Sequence, residues 1–187
     1  MSEEIEFRAW PKTPRLFRDI TISEKIDGTN ACVIVTEDGR VAAQSRKRLI
    51  TPESDNAGFA RWVHDNSDDL IELLGPGYHY GEWWGSKIQR GYGLTGGEKR
   101  FSLFNVHRYG ETVHESDGLL RTVPVLYEGP FGEDHILAAL WDLQDKGSAA
   151  EPGYMNPEGI ITFHSASGQV YKTLIEHDEL PKGAVAA

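Results

Sequence analysis

A lysine and an aspartate stand one residue apart in the stretch EKIDGTN, residues 24–30, and the β-forming run VIV follows at 33–35. An amine and a carboxylate at that spacing share a face when the chain is extended. The Lys25 amine is a nucleophile once it sheds its proton, yet a lysine of ordinary pKa, about 10.4, is neutral in roughly one molecule of 2,500 at pH 7. Chemistry at neutral pH therefore needs surroundings that favour the neutral amine by about 4 kcal/mol, through burial, a bound metal ion or a second cation. Lys172 is the candidate second cation, whereas Asp27 pulls the other way. The plain alternative is an Asp-Gly turn with a solvated lysine. A lone K-x-D-G match arises by chance in about one chain of this length in twenty-five, so more than this stretch is required.

Further motifs follow in order: SRKR at 45–48, GEWWG at 81–85, RFSLFNV at 100–106, PEGIITF at 157–163 and VYKTL at 170–174. In this order they resemble the covalent nucleotidyltransferase superfamily of ATP-dependent DNA and RNA ligases and mRNA capping enzymes. EKIDGTN is most similar to the RNA ligase branch, and the resemblance covers about residues 20 to 175. It implies that Lys25 attacks the α-phosphate of ATP, expels pyrophosphate and becomes a lysyl-AMP. It implies that the Glu24 backbone meets the adenine edge, that Asp27 serves later steps or holds nucleotide and metal, and that Asn30 serves sealing. Ser45 and Arg46 match the motif for the ribose and the incoming 5′-phosphate, a task suited to a guanidinium fork. Lys47 and Arg48 read as a solvated basic turn. Glu82 matches the glutamate that hydrogen-bonds the ribose hydroxyls, with Gly81 and Gly85 packing around the sugar. Gly28 allows close approach to phosphate or a positive φ. Phe104 matches the adenine platform, while Phe101 and the Trp83–Trp84 pair read as core. Glu158 matches the carboxylate that helps hold the catalytic Mg²⁺ or Mn²⁺. Lys172 is the cation that neutralises the α-phosphate.

Two departures from the family pattern stand out. Asn105 occupies a position where the family usually has aspartate, and the last motif, normally K-x-K, keeps one lysine, with Val170 or Leu174 replacing the other and Lys182 a distant substitute. The chain also stops about a dozen residues after VYKTL, which predicts a single nucleotidyltransferase domain over residues 1–187 with no C-terminal OB-fold domain. Pyrophosphate is then oriented by Lys12, Arg15, Lys87 or Arg90, or by a partner in trans.

The elements that must position these residues read as an α+β domain: mainly antiparallel sheets with a few helices around a nucleotide cleft. Strands are expected at 19–26, 31–37, 41–46, 77–84, 99–109, 159–165 and 169–175, with a hairpin turn at Asp38-Gly39. Helices are expected at 56–66, capped by Asp55, at 68–74, and at 133–146 with Ile136, Leu137, Leu140 and Leu143 inward. Residues 151–157, EPGYMNP, read as a surface loop.

With 187 residues the chain suits one domain, and its lone cysteine, Cys32, excludes an internal disulfide or a cysteine-built zinc site. No apolar run is long enough to span a membrane, and the acidic start MSEEIEFRAW lacks the marks of a secretory signal, so a cytoplasmic protein is expected. The net charge of -10 confines any nucleic-acid surface to a restricted groove. The leading expectation is an ATP-dependent RNA ligase that joins a 5′-phosphate to a 3′-hydroxyl, with DNA ends possible. The rivals are a DNA nick ligase, a GTP-dependent capping guanylyltransferase, and a nucleotide- or nucleic-acid-binding module without turnover.

Overall fold

A computed structural model describes residues 5–176 and 178. In chain order its strands are β1 (Asp19–Lys25), β2 (Thr29–Val35), β3 (Val41–Ser45), β4 (Leu49–Ile50), β5 (Gly77–Gly85), β6 (Lys99–Leu103), β7 (Arg121–Thr122), β8 (Val125–Pro130), β9 (Gly159–His164) and β10 (Gln169–Leu174). The helices are α1 (Phe59–Asp65), α2 (Ser67–Leu74), α3 (Val106–Glu115) and α4 (Glu133–Lys146).

Alternation along β1 sets the first layer. Ile20 and Ile22 are buried on one face, while Thr21, Ser23 and Lys25 face the other way, into a cleft. β1 lies in a four-stranded antiparallel sheet of order β10-β9-β1-β8. Helix α4 covers its outer face, where Ala139 and Leu143, flanked by Ile136 and Leu140, pack on Ile20, Ile22 and Ile160. Ala139 takes the place expected of Leu137.

The second sheet has the order β4-β3-β2-β5-β6-β7, antiparallel except for the β6–β7 pair. Val33, Phe101 and Leu103 on its outer face join Phe59 and Val63 of α1 and Leu70 of α2 in the largest apolar cluster. Each such side chain contributes about 1.5–3 kcal/mol by leaving water. The chain passes between the sheets twice among the described residues, at 26–28 and at 123–124, and a third cluster of Ile26, Trp84, Tyr92 and Val123 fills that junction. This explains the placement of EKIDGTN: it is the crossover from one sheet to the other, and Lys25 is the last residue of the first.

Several local expectations are corrected. The strand expected over 99–109 ends at Leu103, because the Asn105 side chain accepts the Arg108 N–H at 3.1 Å and starts α3. Asp55 is not the N-cap residue of α1; Gly58 is, at φ 84. The Asp55 carboxylate still accepts the N–H groups of Ala60 at 2.8 Å and Arg61 at 3.1 Å, which does the same job from further back. Strands β4, β7 and β8 add to those the sequence pattern predicts.

Candidate active site

The inner faces of the two sheets enclose a cleft of about 730 Å³. Ser23, Lys25, Ile161 and Phe163 line one wall, and Asn30, Tyr80, Glu82 and Phe104 line the other.

Lys25 is held in place from behind. The neighbouring Glu24 side chain points to the opposite face of the sheet, 1% exposed, and accepts hydrogen bonds from Ser148 Oγ at 2.7 Å and from the N–H groups of Ala149 and Ala150 at 2.8 Å. Burial pushes its pKa above the ordinary carboxylate range in spite of these donors. Its own N–H donates to Pro124 O at 3.0 Å. Glu24 is thus an anchor for the end of β1. Tyr92 supplies a second anchor. Its buried phenol accepts the Asp27 N–H at 3.2 Å and donates to Lys25 O at 3.4 Å, with the residue in the left-handed region at φ 52. Sequence reasoning misses this residue, because its one signal is a tyrosine between two glycines, a pattern too common to read.

The carboxylates sort themselves by partner. Lys25 Nζ pairs with Glu158, on the loop that enters β9, and not with Asp27. Asp27 pairs with Arg90 at 3.2 Å, and Arg90 also donates to Asn156 Oδ1 at 2.9 Å, so the Arg90 guanidinium is engaged by both. Glu82 Oε1 accepts the Gly28 N–H at 3.1 Å. Burial pushes the Glu82 carboxyl up to about 7, against the opposing influence of Lys25. Asn30 lies beside Glu82 in register across β2 and β5.

Gly28 has no positive φ, and a Cβ there would come within 2.5 Å of Trp83 O, so the absence of a side chain allows its close approach to β5. Gly81 and Gly85 likewise make room for β6 and its flank. Phe104 is 42% exposed on the cleft wall, as a stacking platform requires, whereas Phe101, Trp83 and Trp84 are buried core. Arg46 borders the cleft. Ser45 Oγ donates to Arg48 O at 3.1 Å, and Arg48 donates to Ser54, so both hold the turn, and Lys47 is exposed.

Lys172 pairs in register with Ile161, which pairs with Ser23, so the three share the cleft face one row from Lys25. Leu174 occupies the row of Lys25 itself, through Gly159. Of the remaining cations expected near pyrophosphate, Arg15 borders a groove on the outer face of the four-stranded sheet, Lys12 does not line the cleft, and Lys87 is exposed on a turn at φ 62. Lys182 lies outside the described residues. Among the described residues no three His, Cys, Asp or Glu side chains cluster as a metal cage. A lone Glu158 beside the Lys25 amine fits a cation that takes one or two carboxylates and completes its shell with phosphate and water.

Two sheets around a cleft with an amine at its floor define a nucleotidyltransferase-type domain. The chain belongs to the RNA ligase family, whose model matches residues 18–162. A comparison with curated proteins found no match. Among solved structures it is similar to the Naegleria gruberi RNA ligase with AMP and Mn, at 17% identity and TM-score 0.65, covering 85% of this chain and 50% of that one. Another form of that ligase, with ATP and Mn, gives 18% identity and TM-score 0.67, covering 86% of this chain and 51% of that one. The likeness is one of fold, and this chain spans about half the length of those structures. No helix among the described residues is long and apolar enough to cross a membrane.

Proposed function

We propose that the chain is the catalytic domain of an ATP-dependent RNA ligase. The observation that carries this reading is the Lys25 amine on the cleft floor, paired with Glu158 and facing a wall that holds Glu82 and Phe104. In the first step Nζ, as the free amine, attacks the α-phosphate of ATP; a P–N bond forms, the bond to pyrophosphate breaks, and Lys25 carries AMP. In the second step a 5′-phosphate oxygen of RNA attacks the same phosphorus and releases the amine. In the third a 3′-hydroxyl attacks the activated 5′-phosphate, a phosphodiester forms and AMP leaves. Phe104 stacks on adenine, Glu82 accepts from the ribose hydroxyls, and Arg46 and Lys172 offer donors to phosphate oxygens. A divalent cation, Mg²⁺ or Mn²⁺, held by Glu158 and the phosphates, would neutralise phosphate charge and draw Glu158 away from the amine. That the related Naegleria structures contain ATP or AMP with Mn supports the choice of nucleotide and ion.

Incubation with ATP or GTP labelled in the α-phosphate tests this. A covalent band with ATP alone, absent in Lys25→Ala, is expected. A band with GTP would favour guanylyl transfer, and no band with either nucleotide would leave a binding module. Offering the purified protein 5′-phosphorylated RNA and DNA would then assign the ends it joins. Residues 1–187 acting as one domain, or with a partner in trans that orients pyrophosphate, are tested by whether the band forms without added protein.

A further inference from the structure

Residues 7–18, FRAWPKTPRLFR, carry four cations and no carboxylate in a chain of net charge -10. Residues 5–19 are exposed throughout, with Phe7 at 92% and Trp10 at 91%. Large aromatic rings in water interleaved with Arg8, Lys12, Arg15 and Arg18 form the composition that single-stranded nucleic acid recognises: rings stack on bases and cations meet phosphates. Pro11 and Pro14 keep the segment extended and stiff, so less freedom is lost on binding.

The root of this arm is fixed. Leu16 O accepts from His164 Nε2 at 2.7 Å, Phe131 N donates to Arg18 O at 2.9 Å, and the Phe17 ring packs edge-on against Phe131 at 6.0 Å. Beyond the root, β1 extends from Asp19 to Lys25, about 20 Å at roughly 3.3 Å per residue, with Thr21 and Ser23 on the cleft face. Arg15 and Leu16 also wall a groove of about 390 Å³, beside the half-exposed Tyr171.

We infer that the segment 7–15 is a docking arm for single-stranded RNA, which grips the strand by stacking and charge beside the outer face of the four-stranded sheet, at the end of β1 remote from Lys25. This rests on the RNA ligase reading above for the identity of the polyanion. The strand's grip is independent of the lysyl-AMP chemistry, so the two are separable.

The test compares the full chain with R8Q/K12Q/R15Q and with F7A/W10A, measuring affinity for a fluorescent 12-nucleotide RNA across a salt series, and lysine adenylylation in the same samples. Either variant should bind RNA at least tenfold more weakly at low salt, and F7A/W10A should leave adenylylation unchanged. The charge variant should also flatten the salt slope by about two, at roughly 0.7 for each phosphate no longer neutralised. RNA affinity and slope equal to the wild type would overturn the arm, as would arm-dependent binding to anionic vesicles without arm-dependent binding to RNA. Arm-dependent RNA binding in a protein that never becomes adenylylated would keep the arm and remove the catalytic reading.

Discussion

Burial pushes the Glu82 carboxyl up to about 7, further than the Lys25 charge draws it down. A carboxylate accepts from ribose hydroxyls more strongly than a carboxylic acid does. Noncovalent ATP affinity is therefore expected to rise from pH 6 to pH 8, and Glu82→Gln should flatten that rise; titration calorimetry at several pH values would show it. Glu158→Ala is expected to cut metal-dependent adenylylation strongly while far-UV CD and melting temperature stay near wild type, since its partner Lys25 remains at the cleft surface. Phe104→Ala should weaken ATP binding by about 1–3 kcal/mol with little loss of stability, because the ring is 42% exposed. That Lys25, Asn30, Arg46, Glu82 and Phe104 border one cleft was legible from the order and wording of the motifs. The pairing pattern was not: Asp27 with Arg90 and Lys25 with Glu158 join residues far apart in sequence, and only the sheet order brings them together.

At the scale of the element, Asn105 shows how one side chain redirects a segment. The run KRFSLFNVHRY reads as a continuous strand by β-propensity, yet the Asn105 cap wins and the chain turns into α3 immediately after Phe104. Aspartate caps equally well, so the departure from the usual family residue is conservative in this role. Asn105→Asp should leave stability near wild type, and Asn105→Ala should cost about 1 kcal/mol by denaturant titration. Helix α4 was legible from end to end because its apolar spacing and the stop at Gly147 agree. Strand β8 was not, because VLYEGP ends in Gly-Pro, which reads as a turn, and a strand at a sheet edge tolerates it. His79, buried behind β5 and hydrogen-bonded to Tyr109 and Gly75, has its pKa lowered by burial from the ordinary imidazole value. The fold binds this proton less readily than the unfolded chain, so stability should fall as pH drops below about 6.5, and thermal melts across that range, with a neutral substitute that fits as control, would show the fall and its blunting.

At the scale of the whole molecule, the two-layer α+β architecture was legible from the mixture of strands and a few amphipathic helices, but its division into sheets of four and six strands was not, because partner choice depends on long-range contacts. Among the described residues the backbone passes between those sheets twice, at 26–28 and 123–124, and Ile26 and Val123 of these passages border the cleft. Any breathing of the halves therefore pivots there, as a clam does about its ligament. On the ligase reading proposed above, parting the cleft's outer edges would admit nucleotide and polymer ends while the Lys25 amine, next to the passage at 26–28, is displaced least.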